Sequence, residues 1–347
     1  MVDWGQASAI TNRLTGLRSA IIRRMRVIVI GGTQFMGREI VRRLVANGHE
    51  VSVLHRRDQH DFGPEVQNLQ ADRADLTRVS DLLTLGRFEA VFDLAYDWQH
   101  GTTADQVEAA ARASGDRLQR YIFISSVAVY GPGVDHREAD PLVPDDVPNP
   151  YAQHKASAER RLFALHAKSG FPVSTFRPVF VHGPRQPFYR EQFFWDRLLD
   201  RRPIILPDAG LAATQWVFVA DVAEACVRAM TRPEAVGQAF NVGHVEPMTQ
   251  RSFVEALARV AGCEPELVSV PRATITAAGG QLVGENLYFG EYLDLPPHTV
   301  NLDKARQLLG IVPTPLETAF QLGFEWYTAQ PRRPSDYAFE DRLLGTL

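Results

Sequence analysis

Short apolar runs alternate with amphipathic segments through the first half of the chain. The apolar runs are nearly continuous in Val, Ile and Leu, which is typical of parallel strands that are buried on both faces. They cover residues 26–30, 50–54, 66–69, 90–94, 118–124 and 173–176. Between them, helical periodicity begins near Phe35, Asp75, Thr102 and Tyr151. The alternation predicts an α/β protein with a doubly wound parallel sheet, the Rossmann arrangement.

The pattern loosens after about residue 180, where Pro-rich and Gly-rich connections separate later helices over 219–230, 250–260, 303–308 and 316–327. We therefore predict a Rossmann domain over residues 25–180 and a smaller substrate-binding lobe, mainly over 181–330 and interleaved with the first domain. Residues 331–347 are predicted to be a C-terminal tail. Residues 1–24 have helical apolar spacing with interspersed arginines, which resembles an organellar targeting helix in composition. We favour an amphipathic extension packed on the domain or an upstream start codon.

Composition narrows the class of protein. With 45% apolar and 22% charged residues and no apolar stretch of membrane-spanning length, we expect a soluble cytoplasmic protein with no membrane partner. The net charge of −4 gives no general attraction to nucleic acid. Cys226 and Cys263 lack metal-ligand spacing, and His100, His136 and His182 are scattered, so no metal site is expected.

A glycine-rich turn follows the first predicted strand directly. Residues 31–37 are Gly-Gly-Thr-Gln-Phe-Met-Gly, and a helix follows at once. Glycines at this junction let a pyrophosphate approach the backbone amides, where the helix dipole favours negative charge. Gln34 stands where a middle glycine is usual, so we expect a shifted cofactor or a contact from the Gln34 amide. The predicted cofactor contacts in the turn are Gly31, Thr33, Gln34, Phe35, Met36 and Gly37.

The ends of the following strands indicate which dinucleotide is bound. His55, Arg56 and Arg57 follow the second strand, where an acidic residue would bind the adenosine ribose of NAD. Two guanidiniums at this point can pair with a 2'-phosphate, so NADP(H) is preferred and NAD(H) is the alternative. Asp72 is placed to accept from the adenine amino group or simply to cap a loop. Leu94, Ala95 and Tyr96 are expected beneath the middle of the cofactor.

A tyrosine and a lysine then stand one helical turn apart. Lys155 is one of three lysines in the chain and lies four residues after Tyr151. Residues at this spacing share a helix face, so the ammonium could lower the pKa of the phenol towards neutrality and make it a proton donor or acceptor. The alternative is an exposed Tyr and Lys on an amphipathic helix, which the scarcity of lysine disfavours.

Together these features resemble the extended short-chain dehydrogenase/reductase family, the NAD(P)-dependent epimerase/dehydratase group, over roughly residues 25–330. The glycine turn and residues 125–131, 151–155, 177–184 and 216–223 carry the resemblance. It implies that Ser126, Tyr151 and Lys155 are catalytic: Ser126 binds the substrate oxygen, Tyr151 passes a proton, and Lys155 holds the nicotinamide ribose. It also implies cofactor contacts from Pro178 and Val181, in addition to those from Tyr151 and Lys155.

Departures from the family pattern narrow the reaction. Val127 and Ala128 stand where the dehydratases carry Asp and Glu, so dehydration is disfavoured. Phe180 and Thr214 replace an Asn and an Arg of the nucleotide-sugar epimerases, and residues 273–303 contain no Lys or Arg. Because a buried diphosphate without cations is costly, we expect a less charged substrate such as a ketone, a hydroxylated ring or a simple sugar. The predicted substrate contacts are Tyr96, Trp98, Ser126, Phe180, Arg185, Phe188 and Tyr189.

Three functions stay open at this point. The first is an NADP(H)-dependent oxidoreductase that transfers hydride at a carbonyl or secondary alcohol of a small molecule. The second is a sugar epimerase with a tightly held cofactor. The third is a non-catalytic RNA-binding or regulatory protein, because the glycine turn also resembles that of chloroplast RNA-binding relatives of the family. A homodimer is a further expectation, through the helix that begins at Tyr151.

Overall fold

A seven-stranded parallel sheet lies at the centre of the protein, and the computed structural model describes residues 23–332 and 334–346. Almost all of the predicted N-terminal extension lies outside the described residues. The strands are β1 Arg26–Ile30, β2 Glu50–His55, β3 Val66–Gln70, β4 Ala90–Asp93, β5 Arg120–Ile124, β6 Gly133–His136, β7 Val173–Pro178, β8 Phe180–His182, β9 Ile204–Pro207, β10 Ala213–Thr214, β11 Trp216–Phe218, β12 Gln238–Val242, β13 Met248–Thr249, β14 Leu267–Val270 and β15 His298–Val300. The order in the central sheet is β12-β7-β5-β4-β1-β2-β3.

Helices cover both faces of this sheet, and further helices form a smaller lobe. In chain order the helices of the described residues are α1 Phe35–Ala46, α2 Leu76–Gly86, α3 Ala104–Ala113, α4 Pro150–Ser169, α5 Glu191–Leu199, α6 Val219–Thr231, α7 Gln250–Ala261, α8 Arg272–Ala277, α9 Asp303–Leu309, α10 Leu316–Thr328 and α11 Ala338–Leu344. Val27 and Val29 of β1 join the core under α1 and α6, whereas Ile28 and Ile30 join the core under α2, α3 and α4. Burial on both faces explains the continuous apolar runs and confirms the doubly wound fold.

A second apolar core forms the smaller lobe. Phe193, Phe253 and Phe320 bring α5, α7 and α10 together, and Phe194 packs edge-on against Phe253 at a ring-centroid distance of 5.6 Å. Three two-stranded sheets support the lobe or join it to the central sheet: β14 with β9, β10 with β13, and β11 with β8. The lobe lies over the carboxyl ends of the central strands, where ligands bind in open α/β sheets.

The chain passes between the two cores more than once. Residues 238–242 carried no predicted strand, yet β12 adds to the central sheet beside β7 and α6 covers one sheet face. The predicted tail also differs, because residues 338–344 form α11, and its Phe339 and Leu343 are buried in the second core. In the described part of the chain, no helix has the length and apolarity to cross a membrane.

Candidate functional site

One large cavity lies where the strand order reverses, at the carboxyl ends of β1 and β4. Its volume is about 1020 Å³, and its wall runs from the glycine turn to the loops of the smaller lobe. Such a switch point is where doubly wound folds bind dinucleotides. All of the predicted cofactor contacts line this cavity, including Pro178 and Val181.

The glycine turn has no room for side chains at two positions. Gly31 has a positive φ of 89° and donates its N–H to the carbonyl of Leu54 at 3.0 Å. A Cβ on Gly37 would lie 2.3 Å from the carbonyl oxygen of Gly31. This contact brings α1 tightly against the end of β1, so its first N–H groups line the cavity. The turn therefore fits a pyrophosphate, and Gln34 is exposed beside it with no capping hydrogen bond.

The adenosine end of the cavity contains the two predicted arginines. Arg56 is 66% exposed, and its ion pair with Asp97 is long at 3.8 Å, so its guanidinium is available to a ligand. His55 has a different role, because its ring bonds Asn68 at 2.5 Å and burial lowers its pKa. Asp72 accepts from the backbone N–H of Ala74 at 2.8 Å, which is the loop-capping alternative, while it still lines the cavity.

Local structure brings the Ser, Tyr and Lys residues to the same wall. Ser126 follows β5 and caps a short 3₁₀ turn by accepting from Ala128 N–H at 3.2 Å. Asn149 caps α4 by accepting from Tyr151 N–H at 3.1 Å, and Pro150 occupies the first helical position. The helix therefore starts one residue before Tyr151, and Lys155 follows one turn later. All three predicted catalytic residues line the cavity.

Lys155 is buried, with its side chain bound to the sheet. Its ammonium donates to the carbonyl of Ile124 at 2.6 Å and lies 4.9 Å from the centre of the Phe123 ring. Burial lowers the pKa of Lys155 to about 8, although the carboxylate of Asp93 opposes this shift. Asp93 itself accepts hydrogen bonds from buried Arg73 and Tyr121. The sequence pattern did not predict this buried network near Lys155.

Tyr151 does not have the lowered pKa expected from its spacing to Lys155. Burial raises the pKa of Tyr151, and it is the Ser126 hydroxyl and the charge of Arg190 that oppose the rise. The physical reason is that Lys155 directs its ammonium to Ile124 instead of to the phenol. Trp98 adds to the burial, because its ring stacks on Tyr151 with a centroid distance of 5.2 Å.

Aromatic side chains form the substrate end of the cavity. Tyr96 meets Tyr151 edge-on at 4.9 Å, and Phe188 meets Trp98 edge-on at 5.1 Å. Trp98 is 59% exposed despite these contacts, so it covers Tyr151 at the mouth of the site. Phe180 also lines the cavity.

Two predicted substrate contacts do not line it. Arg185 is exposed, with its charge next to Arg38, Arg42 and Asp61. Tyr189 turns into the smaller lobe, where its hydroxyl bonds Asp196 and its ring packs on Phe193. The loop before α5, which has a positive φ of 66° at Arg185, directs both side chains away from the cavity.

The loop instead brings Arg190 to the cavity, a residue that sequence analysis missed. Its guanidinium lies over the rings of Phe188 at 4.7 Å and Phe180 at 5.4 Å. Its Nε donates to the carbonyl of Glu291 at 3.1 Å. The only sequence signal was an arginine next to the loop aromatics. Thr214, where the family has an arginine, is buried and accepts from the indole N–H of Trp216 at 3.0 Å.

This combination defines a Rossmann protein with a nicotinamide dinucleotide site. The sequence profile of the NAD dependent epimerase/dehydratase family matches residues 27–243, and the chain belongs to that family. The name of the family describes NAD-dependent epimerases and dehydratases.

Named relatives differ in what they do. The chloroplast stem-loop binding protein of 41 kDa b from Arabidopsis thaliana is 29% identical over 70% of this chain, which spans only 65% of that relative's length. The 2-alkyl-3-oxoalkanoate reductase from Stenotrophomonas maltophilia is 27% identical over 83% of this chain and 95% of its own. The structure of UDP-glucose 4-epimerase from Thermus thermophilus, in complex with NAD, has a TM-score of 0.69 and 25% identity, covering 88% of this chain and 99% of that chain.

Proposed function

We propose that the protein is an NADPH-dependent reductase of a carbonyl group in a small organic molecule, with the reverse oxidation of a secondary alcohol open to the same site. The observation that carries the proposal is that Ser126, Tyr151 and Lys155 line one cavity with the glycine turn. Val127 and Ala128 supply no acid or base beside them.

In this mechanism the nicotinamide, when bound, supplies or accepts the hydride. Ser126 donates a hydrogen bond to the carbonyl oxygen of the substrate. Tyr151 gives its phenolic proton to that oxygen as it becomes a hydroxyl. Lys155 would hold the nicotinamide ribose through its ammonium, and its positive charge would favour the phenolate of Tyr151. This charge would oppose the rise in the pKa of Tyr151 that burial causes.

The aromatic wall and the presence of Thr214 where nucleotide-sugar epimerases have an arginine support a small organic substrate. The hydroxyl oxygen of Thr214 already accepts a hydrogen bond from the indole N–H of Trp216. The side chain of Phe180 offers no hydrogen bond to a sugar. The reductase of Stenotrophomonas maltophilia aligns over 95% of its own length, and its name describes an oxo acid. Arg56 and Arg57 line the adenosine end and support NADPH over NADH.

The proposal is tested with Tyr151→Phe. We expect NADPH binding to persist, while the rate of NADPH oxidation with a panel of ketones and oxo acids falls by about 10²-fold or more. Tyr337→Phe is the matched control, since Tyr337 bonds Asp200 outside the cavity. A Tyr151→Phe variant with the turnover of the unchanged protein would refute the proton-transfer role.

A sugar epimerase is the second candidate, favoured by the likeness to the Thermus thermophilus epimerase. An epimerase differs from a reductase in its net consumption of cofactor, because epimerisation consumes no NADPH. Stoichiometric conversion of NADPH with product formation favours the reductase, whereas product without net NADPH consumption favours the epimerase. For the RNA-binding alternative, suggested by the chloroplast relative, the net charge of −4 leads us to expect no retention of a stem-loop RNA at physiological salt.

A further inference from the structure

Arg190 is a cation at the substrate end of the cavity, next to the proposed acid. Its backbone caps the start of α5, and its side chain lies between the rings of Phe180 and Phe188. Its charge is close enough to Tyr151 to oppose the rise in the pKa of that phenol that burial causes. The guanidinium is therefore held within reach of the group that a substrate carbonyl would meet.

The carboxylates of the neighbouring acids do not pair with the Arg190 guanidinium: they accept from backbone N–H groups, and within the described part of the chain Oε2 of Glu191 is buried without a hydrogen bond. Glu191 accepts from the backbone N–H of Gly183 at 3.0 Å, and Glu291 accepts from that of Tyr189 at 3.1 Å. Within residues 23–332 and 334–346, Arg190 forms no ion pair, and its side-chain hydrogen bonding is limited to its Nε. Two terminal nitrogens with four N–H groups thus remain for a ligand on the cavity side.

Such an arrangement is unfavourable without a ligand. Burial lowers the pKa of Arg190, and the charges of Glu191 and Glu291 only partly oppose this shift. By contrast, the exposed Arg161 is paired with two acids, Asp105 and Glu108. A cation kept unpaired between aromatic rings in a binding cavity gains most from an anion that enters the same cavity.

We propose that Arg190 is a substrate-binding residue that recognises a carboxylate, so that the preferred substrates are oxo acids. The inference rests on the proposed reductase function and narrows its substrate class. A guanidinium fork matches the two oxygens of a carboxylate. The apolar body of the acid would lie against Trp98 and Phe188, with its carbonyl directed to Tyr151 and Ser126. The proposal narrows the less charged substrate expected from sequence to an acid that carries one negative charge.

Binding of non-reacting acids tests this assignment without turnover. Calorimetric titrations of the NADP⁺-saturated protein would compare phenylacetate with phenylacetamide and hexanoate with hexanamide. We expect at least one acid to bind about tenfold more tightly than its amide, a difference of roughly 1.4 kcal/mol. Arg190→Met should abolish this preference, and Arg190→Lys should retain part of it. Arg201→Met is the matched control, since Arg201 is exposed beyond the other end of α5.

The outcomes separate this inference from the proposed function. Equal binding of acids and amides, no binding of either acid, or an acid preference that survives Arg190→Met would each overturn it. An arginine that acts only on Tyr151 would change turnover and its pH profile but not the acid-to-amide ratio. Acid preference without NADPH-dependent reduction of phenylpyruvate or any other oxo acid would support the binding role and count against the reductase. Unchanged NADP⁺ affinity in Arg190→Met checks that the variant is folded.

Discussion

At the scale of single residues, Lys155 combines a functional position with an unfavourable environment. Its side chain is 5% exposed, and one hydrogen bond to the Ile124 carbonyl holds its ammonium. The pKa falls from its ordinary value of 10.5 to about 8, so folding opposes the charged form. A buried cation that a bound ribose would engage is consistent with a site selected for binding, at a cost in stability.

Replacing Lys155 by Met should therefore stabilise the free protein near neutral pH. We expect a gain of roughly 2 kcal/mol, after the lost hydrogen bond is subtracted. Because the folded pKa is depressed, the unfolded state binds more protons between pH 8 and 10.5, and the unchanged protein gains stability as pH rises through this window. The advantage of the variant should fade there.

Urea unfolding of both proteins across this pH range measures the difference. Lys168→Met is the control, because Lys168 is exposed near the end of the same helix and should show no pH-dependent difference. A Lys155→Met variant that is less stable than the unchanged protein near neutrality would show that the burial cost has been overstated.

At the scale of elements, each strand end contributes one part of the dinucleotide site. The turn after β1 closes on α1, the end of β2 carries the arginines, and β5 leads to Ser126. Parallel strands align their carboxyl ends at one edge, so residues far apart in sequence meet there. The discrimination between NADPH and NADH should then depend on the end of β2 alone.

Exchanging Arg56 and Arg57 for Ala tests this separation. In the unchanged protein we expect NADPH to bind about tenfold or more tightly than NADH, because a charged fork can pair with the extra phosphate. The double variant should lose most of this difference and keep its NADH affinity. Fluorescence titration gives the dissociation constants of NADPH and NADH. The control is Arg78→Ala, since Arg78 is an exposed residue of α2. Equal affinities in the unchanged protein would reject the NADPH preference.

At the scale of the whole molecule, the final helix joins the second core. Arg197 of α5 and Glu340 of α11 form a hydrogen-bonded ion pair with side chains that are 4% and 5% exposed. Removing one partner would leave a buried unpaired charge. The homodimer stays a prediction. On α4, the helix expected to form its interface, the exposed Arg161 is paired with Glu108 of α3.

Glu340→Gln should lower the free energy of unfolding by about 3 kcal/mol, because it leaves the Arg197 charge buried without a counter-ion. The neighbouring Asp341→Asn should cost less than about 1 kcal/mol, since the Arg202–Asp341 pair is more exposed. Chemical denaturation measures both. The double variant Arg197→Met with Glu340→Leu should recover part of the loss. Equal costs for the two single variants would argue against a buried pair.

Much of the fold was predictable because its signals are local. The strands β1, β2, β4 and β7 are buried on both faces and rich in apolar residues, and α4 has a proline and a capping Asn at its start. β12 was not predicted, because only its pairing with β7 identifies residues 238–242 as a central strand. Likewise, α11 lies in a short segment, and only its packing against the second core shows that its apolar residues are buried.

The sequence by itself determined the parallel sheet, the glycine turn and the positions of Ser126, Tyr151 and Lys155, because periodicity and short-range spacing control them. Tertiary structure decided the electrostatics and the substrate wall. Lys155 binds a carbonyl 31 residues away, and Arg190 is oriented by a carbonyl 101 residues away. Contacts at such separations set burial, and burial sets the pKa and availability of each charge. For that reason Arg190 lines the cavity, while Arg185, five residues earlier, does not.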